Sequence, residues 1–374
     1  MTDRKMTVLQ LLPSLDSGGV ERGTIEVSKA LCQAGHHSIV MSAGGRLVSE
    51  LEKMGAQHIQ WDIGKKSLST LRYVFRLRSY LKKNDIDILH ARSRLPAWIA
   101  WFAWKSMKVA HRPHFVTTVH GLYSVKKYSS IMMRGEKVIA VSNTVKNYML
   151  DNYPRIKEEN IEVIYRGVDD TEFPYGYKPD HEWLSKWYEQ YPQLKNKKVI
   201  TLPGRLTRLK GHNDFIQLVK KLHDKGVDVY GLIVGGEDPK RIAYAEEIKE
   251  LVKTLGLQER IFFTGDRRDM RDVLAVSDVA LSLSTKPESF GRTTLEALSL
   301  GLPVVGYDHG GVGEVLHQVY PFGAVDKQSS SLVDKVNELL GGMHENPRKH
   351  NFTLDKMLTK TLNLYESLIS HTSV

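Results

Sequence analysis

Residues 287–305 read PESFGRTTLEALSLGLPVV. A proline and glutamate are followed by a Phe-Gly corner, then a small-residue helix pattern, then a Gly-Leu-Pro break and the start of an apolar run, Val304–Val305. That is a strand-to-helix-to-strand unit, and it places two carboxylates, Glu288 and Glu296, around a glycine corner. Glu296 has a structural reading: TTLE matches a capping box in which Thr293 caps the helix and Glu296 reaches back to its amide. Glu288 has no such role. It precedes the helix and lies close to a glycine that admits backbone to a ligand, where a carboxylate can accept hydrogen bonds from hydroxyls such as those of a sugar.

The same alternation runs through the chain. TVLQLLP, HHSIVMSA, DILHAR, HFVTTVHG, KVIAVS and IEVIYRG read as strands, with amphipathic segments such as ERGTIEVSKALCQAG between them. A second set follows: KVITLPGR, DVYGLIVGG, RIFFTGD, VALSLST and LPVVGYD. Strands alternating with helices predict parallel sheets covered on both faces. A chain of 374 residues exceeds what one core usually covers, so two Rossmann-like domains are expected. The polar, proline-bearing stretch 169–198 reads as the connection, and the last helical pattern carries Leu354, Leu358, Leu362, Tyr365 and Ile369.

Composition bounds the class. Apolar residues make up 41% and charged residues 26%, which excludes a disordered chain. The single cysteine, Cys32, rules out an intrachain disulfide, and a cytoplasmic location is expected. No stretch approaches the roughly 20 apolar residues of a membrane span. The net charge of +10 serves solubility or suits an anionic partner, whether nucleic acid, a membrane surface or a phosphorylated substrate.

In open α/β sheets ligands bind beyond the carboxyl ends of the strands. After the first strand, Gly18 and Gly19 open a helix whose free amides suit a phosphate. No Walker lysine is present, because Thr24 stands in its place, and HGGVGEVL lacks the third glycine of a dinucleotide fingerprint. His120 ends a strand. Arg205 and Lys210 flank a turn after another, placed to hold a diphosphate. The one Asp-x-Asp, Asp85–Asp87, enters a strand rather than leaving one, at the wrong end of the sheet for a donor metal, so no metal is expected.

Taken in order, GGVERGTIEVSKAL, TVHG, VIAVSNTVKNYM, VIYRGVD, GRLTRLKGH, VGGEDP and ESFGRTTLEALSLGLPVVGYDHGGVGEV resemble the retaining glycosyltransferases of family 4, over nearly the whole chain. The resemblance implies the α/β GT-B fold, two Rossmann-like parallel-sheet domains facing a central cleft. It implies an acceptor-side domain over 1–170, with the final helix 352–370 returning to it, and a nucleotide-sugar domain over 171–351. Residue by residue, Gly18 and Gly19 would face the donor phosphates and His120 the transferred sugar. Arg205 and Lys210 would bind the diphosphate. Glu288 would hold sugar hydroxyls, helped by the amides of Phe290, Gly291 and Arg292. Thr294 would lie by the phosphates and Glu296 by the ribose. Gly265, Asp266 and Arg267 would meet the base. Many members have asparagine where this chain has Arg166, which adds positive charge on the acceptor side.

The activity so implied is transfer of a hexose from a nucleotide diphosphate sugar, with a UDP-sugar as the expected donor and no cofactor. Retention of anomeric configuration follows from the resemblance alone. The expected acceptor is lipid-linked or an oligosaccharide of an envelope lipopolysaccharide type. Two features point to the lipid: the segment 65–83, with seven Lys/Arg, no acid and apolar Leu68, Leu71, Val74, Phe75 and Leu81, and the run 93–108, with Trp98, Trp101 and Trp104. The first suits a helix on an anionic membrane surface or a solvated face; the second suits core or a membrane interface. Arg92 and Arg94, leaving a strand, are candidate contacts for a phosphorylated acceptor. No nucleic-acid partner is expected. Two other readings are a sugar-nucleotide epimerase of the same fold and a non-catalytic peripheral membrane protein. The latter leaves Glu288, Arg205 and Lys210 without purpose.

Overall fold

The computed structural model describes residues 4–16, 18–237, 242–342 and 345–370. Ser17 and the Asp238–Pro239 end of the VGGEDP motif lie outside the described residues. The chain divides into two compact units, one formed by residues up to Tyr165 together with those from Asp355 on, the other by Arg166–Leu354.

The first unit is built on a parallel sheet of β1 (Thr7–Leu11), β2 (His37–Ser42), β3 (Gln57–Gln60), β4 (Ile88–Ala91), β5 (His114–Val119), β6 (Lys137–Ala140) and β7 (Ile161–Val163). Their order is β3-β2-β1-β4-β5-β6-β7, all parallel. Chain order reverses between β1 and β4, so the loops after these two strands border the crevice where such sheets take ligands. The expectation missed β3, because QHIQ is a polar edge strand with no apolar run to mark it. The chain just after β1, the helix Gly19–Gln33 and β2 meet in a core that includes Leu12, Leu15, Ile25 and Val40.

Asp87 explains the Asp-x-Asp. Its Oδ2 accepts from the Thr7 amide at 2.8 Å and its Oδ1 pairs with Arg4 at 2.6 Å, so it pins two strand starts together.

The helix Leu354–Ser370 joins this unit from Asp355 onward. It buries Met357, Thr361, Leu364 and Tyr365, a stripe displaced from the expected Leu358, Leu362 and Ile369. The helix is apolar on more than one side, and the buried hydroxyl of Tyr365 decides the rotation: it lies 2.6 Å from His90 Nδ1, whose Nε2 lies 2.7 Å from Thr118 Oγ1.

The second unit carries β8 (Lys198–Pro203), β9 (Val229–Val234), β10 (Ile261–Gly265), β11 (Val279–Ser282), β12 (Val304–Tyr307) and β13 (Ala324–Val325) in the order β10-β9-β8-β11-β12-β13, again parallel. Here the reversal falls between β8 and β11. β13, two residues long, is too short for sequence periodicity to register. The stretch expected to be a linker with a short helix carries a helix and also core: within and after the helix His181–Gln190, Trp187, Tyr191 and Leu194 pack with Val199, Leu232 and Val273, and Trp183 stacks on Trp187 at 5.0 Å.

Candidate functional site

In the second unit the carboxyl ends of β8, β10, β11 and β12 bring most of the expected donor residues to one edge. After β8, Gly204 at φ +151° leaves room for the Lys210 side chain, since a Cβ there would meet Lys210 Cδ at 3.0 Å. Gly211, at φ +73°, starts the next helix, and any side chain at that position would strike the Leu283 carbonyl at 1.9 Å. The GRLTRLKGH loop is therefore folded tightly against the end of β11.

That fold brings Lys210 to Glu288: Nζ donates to Oε1 at 2.7 Å. The Ser284 hydroxyl donates to the same oxygen. Burial alone would raise the Glu288 pKa, but the Lys210 charge and the hydrogen bonds from Lys210 and Ser284, with His309 nearby, hold it below the usual carboxylate value. An ammonium has three donors, so Lys210 keeps two for a ligand. Arg205 is exposed and, among the described residues, has no hydrogen-bond or ion-pair partner. Arg208, between them, is instead paired with Glu247 and stands over Tyr244.

The glycine corner is held from behind. Gly310 and Gly311 lie so close to residues 287–290 that a Cβ would meet Glu288 O at 2.7 Å and Phe290 Cα at 2.3 Å, respectively. The Gly311 amide donates to Glu288 O at 2.8 Å. Phe290 is buried and packs edge-to-face on Phe352.

The helix Arg292–Ser299 starts at Gly291, in the left-handed region at φ +91°, with no side-chain cap. The expected capping box is therefore absent: Thr293 lies inside the first turn, and Glu296 accepts from Arg292 Nε at 3.0 Å. The corner adopts a conformation that only glycine enters freely, so the cap falls two residues before Thr293. Thr294 is buried, and its hydroxyl has no partner among the described residues.

At the end of β10, Gly265 (φ +71°) and the following Asp266 are exposed. Arg267 is already engaged: it grips Asp269, at 2.8 Å for the Nε contact, and stacks on Trp187 at 5.3 Å. Burial would raise the Asp269 pKa, but the hydrogen bonds from Arg267 and Trp183 outweigh it and hold it low. The Arg267 guanidinium is therefore already taken up within the loop.

Sequence reasoning did not single out Ser284 or His309. Both follow strand ends, β11 and β12, and neither ring nitrogen of His309 has a hydrogen-bond partner among the described residues. Inspecting every strand end, rather than the most charged ones, finds them.

In the first unit, Gly18, at φ +137°, caps the helix Gly19–Gln33, which has no side-chain cap. Glu21 lies against Gly18, and burial followed by the Asp16 charge, partly offset by a backbone hydrogen bond, raises its pKa. His120 follows β5, half-buried, its amide donating to the Tyr123 hydroxyl at 3.3 Å. Arg94 donates to Ser129 at 3.2 Å and stacks over Tyr123 and Tyr128, so it braces the loop after β5. Arg92 does not fit the surface role expected of it. It is 3% exposed, donates to Gln10 Oε1 at 2.7 Å, and sits by Tyr365 and Glu26; burial lowers its pKa while those two neighbours oppose the shift. A buried charge needs internal partners, and Arg92 has them. Arg166 is half-buried at the start of the second unit.

Two further expectations change. On the helix Arg72–Lys83 the buried residues are Tyr73, Leu77 and Leu81, while Phe75 (75%), and Leu68 (87%) in the turn before the helix, are exposed. On the helix Arg94–Lys105 the buried side is Pro96, Ala97, Ile99, Ala100 and Ala103; the tryptophans are only partly covered. Trp104 Nε1 donates to Pro113 O at 2.7 Å, and Arg112 stands over its ring. Among the described residues no helix is long and apolar enough to cross a membrane, and no group of three or more His, Cys, Asp or Glu is placed to hold a metal ion.

Comparison with known proteins bears on the family and the fold. Residues 17–172 match the model for Glycosyltransferase Family 4, and 185–352 that for Glycosyl transferases group 1. A glycosyltransferase from Rickettsia africae superposes with a TM-score of 0.83 at 34% identity, over 98% of this chain and 99% of that one. HepE from Anabaena, solved with UDP-glucose, shares the fold at a TM-score of 0.77 and 22% identity, covering 97% of this chain and 100% of that one. N-acetyl-alpha-D-glucosaminyl L-malate synthase of Bacillus anthracis is 27% identical over 318 residues, 81% of this chain and 79% of the relative. The chain belongs to glycosyltransferase family 4, of GT-B fold, and is a glycosyl-transferring enzyme.

Proposed function

We propose that this enzyme moves a hexose from a UDP-sugar to a lipid-linked or saccharide acceptor of the bacterial envelope, of lipopolysaccharide type, with retention at the anomeric carbon and without a metal. The observation that carries the reading is the grouping of Arg205, Lys210 and Glu288 where the sheet order reverses between β8 and β11. Breaking a sugar–phosphate bond places negative charge on the leaving diphosphate. Arg205 and Lys210 are fixed cations that meet that charge as it develops. One unit-charge pair at about 4 Å is worth roughly 4 kcal/mol at an effective dielectric near 20. Glu288, held ionised by Lys210 and Ser284, accepts from sugar hydroxyls, and the Phe290, Gly291 and Arg292 amides line the same corner. The orphaned Thr294 hydroxyl donates to a phosphate, Glu296 accepts from the ribose, and the exposed backbone at Gly265–Asp266 meets the base, with Arg267 stiffening the loop. Gly18, Gly19 and His120 serve the donor from the first unit, and Arg94 and Arg166 the acceptor. The exposed Leu68, Leu71 and Phe75 beside Lys65, Lys66 and Arg72 suit contact with an anionic membrane surface.

UDP is the first diphosphate to test, since HepE shares the fold and is solved with UDP-glucose. Calorimetry on the purified chain with UDP, GDP and ADP, each with magnesium and with EDTA, tests the donor. Saturable binding of UDP alone, unchanged by EDTA, is expected; absence of binding by all three overturns the diphosphate assignment.

A further inference from the structure

A second basic site lies in the first unit, lined by none of the strand-end residues assigned above, although Arg94 reaches Ser129 and Tyr128 beside it. A cavity of about 780 Å³ is lined by the loop after β5, the segment leading into β6, and the chain that follows the helix Asn143–Asn152. Lys126, Lys127, Arg134 and Arg155 line it, with Trp98 and Tyr153, and no carboxylate does. None of the four cations has an ion-pair partner among the described residues, whereas many surface cations elsewhere in the chain do. All four are exposed, and cations gathered around one cavity raise its potential for an anion. The volume falls within the range of small-molecule sites.

The walls are tied in place. Trp98 Nε1 donates to Tyr128 O at 3.0 Å, Tyr153 OH to Ser124 O at 3.4 Å, and Ser130 Oγ to Lys127 O at 2.8 Å. The Tyr148 hydroxyl donates to Tyr123 O. Arg134 stacks over Trp98 and Trp101, at 5.5 and 4.4 Å, which orients its guanidinium while leaving its N–H groups for a ligand. Such anchoring lowers the ordering cost of binding. The remaining lining is Val125 (54% exposed), Met133, Pro154 and Ile156, with the polar Ser130 and Asn152.

We propose that this cavity binds the phosphate group of an amphiphile, the cations taking the phosphate oxygens and the Trp98, Tyr153 and Val125 side chains the apolar part. A phosphate monoester carries close to two negative charges at neutral pH and suits bidentate arginine. The ligand's apolar part rests on the lipid-linked reading of the acceptor; the phosphate site itself does not.

The test uses the full chain and the Lys126→Gln/Lys127→Gln/Arg155→Gln variant. A control variant, Lys225→Gln/Lys249→Gln/Lys253→Gln, removes the same charge elsewhere. Cosedimentation with phosphatidylcholine vesicles carrying phosphatidate reads the lipid source, and calorimetry with glycerol 3-phosphate the soluble one. Cavity substitution is expected to weaken binding by about tenfold or more while the control shifts it by less than about twofold. UDP binding, measured alongside, stays at the wild-type level in the variant, which reports an intact fold and separates this site from the donor site. Vesicle binding that depends on the cavity cations assigns a lipid phosphate; glycerol 3-phosphate binding that depends on them, without vesicle binding, assigns a soluble ester. Wild-type protein that binds neither probe, or a cavity variant that binds like the control, overturns the proposal.

Discussion

Glu288 shows how a single carboxylate acquires a role. Its neighbours Lys210 and Ser284 keep it charged inside a half-covered corner, and its side chain is occupied from one side only. Glu288→Gln is expected to lower kcat/KM for sugar transfer at least about tenfold, roughly 1.4 kcal/mol. UDP affinity should change by less than about threefold, because the base and diphosphate contacts remain; equal losses in calorimetry and in turnover contradict the hydroxyl role. Arg205, with no partner among the described residues, should behave oppositely. Arg205→Ala is expected to weaken UDP binding by about tenfold or more, without affecting folding, since no packing or ion pair is lost. Calorimetry beside a thermal melt checks both halves of that statement. Arg205 and Glu288 were legible in the sequence from their places at strand ends. Ser284 and His309 were not, because a serine or histidine becomes informative only once its distance to the carboxylate is known. Arg92 misled for the converse reason: strand-end position marks exposure on average, and here the final helix covers that end with Tyr365.

Among the elements, the loop and helix after β8 have a pH signature. His212, the first residue of the helix His212–Asp224, is fully buried, and burial pushes its pKa from the usual 6.5 down to about 4, with backbone groups of Gly204 and Thr207 partly opposing. Above pH 6.5 the ring is neutral in both the folded and unfolded states and contributes no pH dependence. As pH falls from 6.5 toward 4 the unfolded chain takes up a proton that the folded ring resists, so stability falls across that window. Between pH 7 and pH 5 the loss is roughly 2 kcal/mol. Urea unfolding of the wild type at the two pH values, beside His212→Asn, checks it: the variant should lose that much less on acidification, and an identical acid loss would contradict the burial argument. The capping box at Thr293 shows the limit of local reading. TTLE satisfies the pattern, but the chain enters this helix through Gly291 in the left-handed region because the Gly310–Gly311 backbone packs behind the corner.

For the whole molecule, net charge and exposed apolar residues act together. The chain carries +10, and Leu68 and Phe75 stand in solvent beside lysines and arginines. If these residues enter a membrane interface, Leu68→Ser/Phe75→Ser removes apolar contacts worth about 1.5–3 kcal/mol each on full burial. Binding to phosphatidylglycerol vesicles should then fall by about tenfold or more, and binding of both forms should weaken as salt is raised. Equal affinity of the variant and wild type in flotation would leave those residues a solvated face.

What the sequence determined by itself was the architecture: two rounds of strand–helix alternation, the strand ends that bear Arg205, Lys210 and Glu288, and the family order of motifs from GGVERG to HGGVGEV. These are readable because periodicity and glycine placement are local consequences of backbone geometry. The tertiary structure alone decided which side of each helix is covered, that Arg92 is internal while Arg205 is free, that Lys210 and Glu288 pair, and that four cations line one cavity. Those outcomes depend on segments far apart in the chain meeting in space, as Lys210 meets Glu288 and Arg92 meets Tyr365, and no local pattern encodes such meetings.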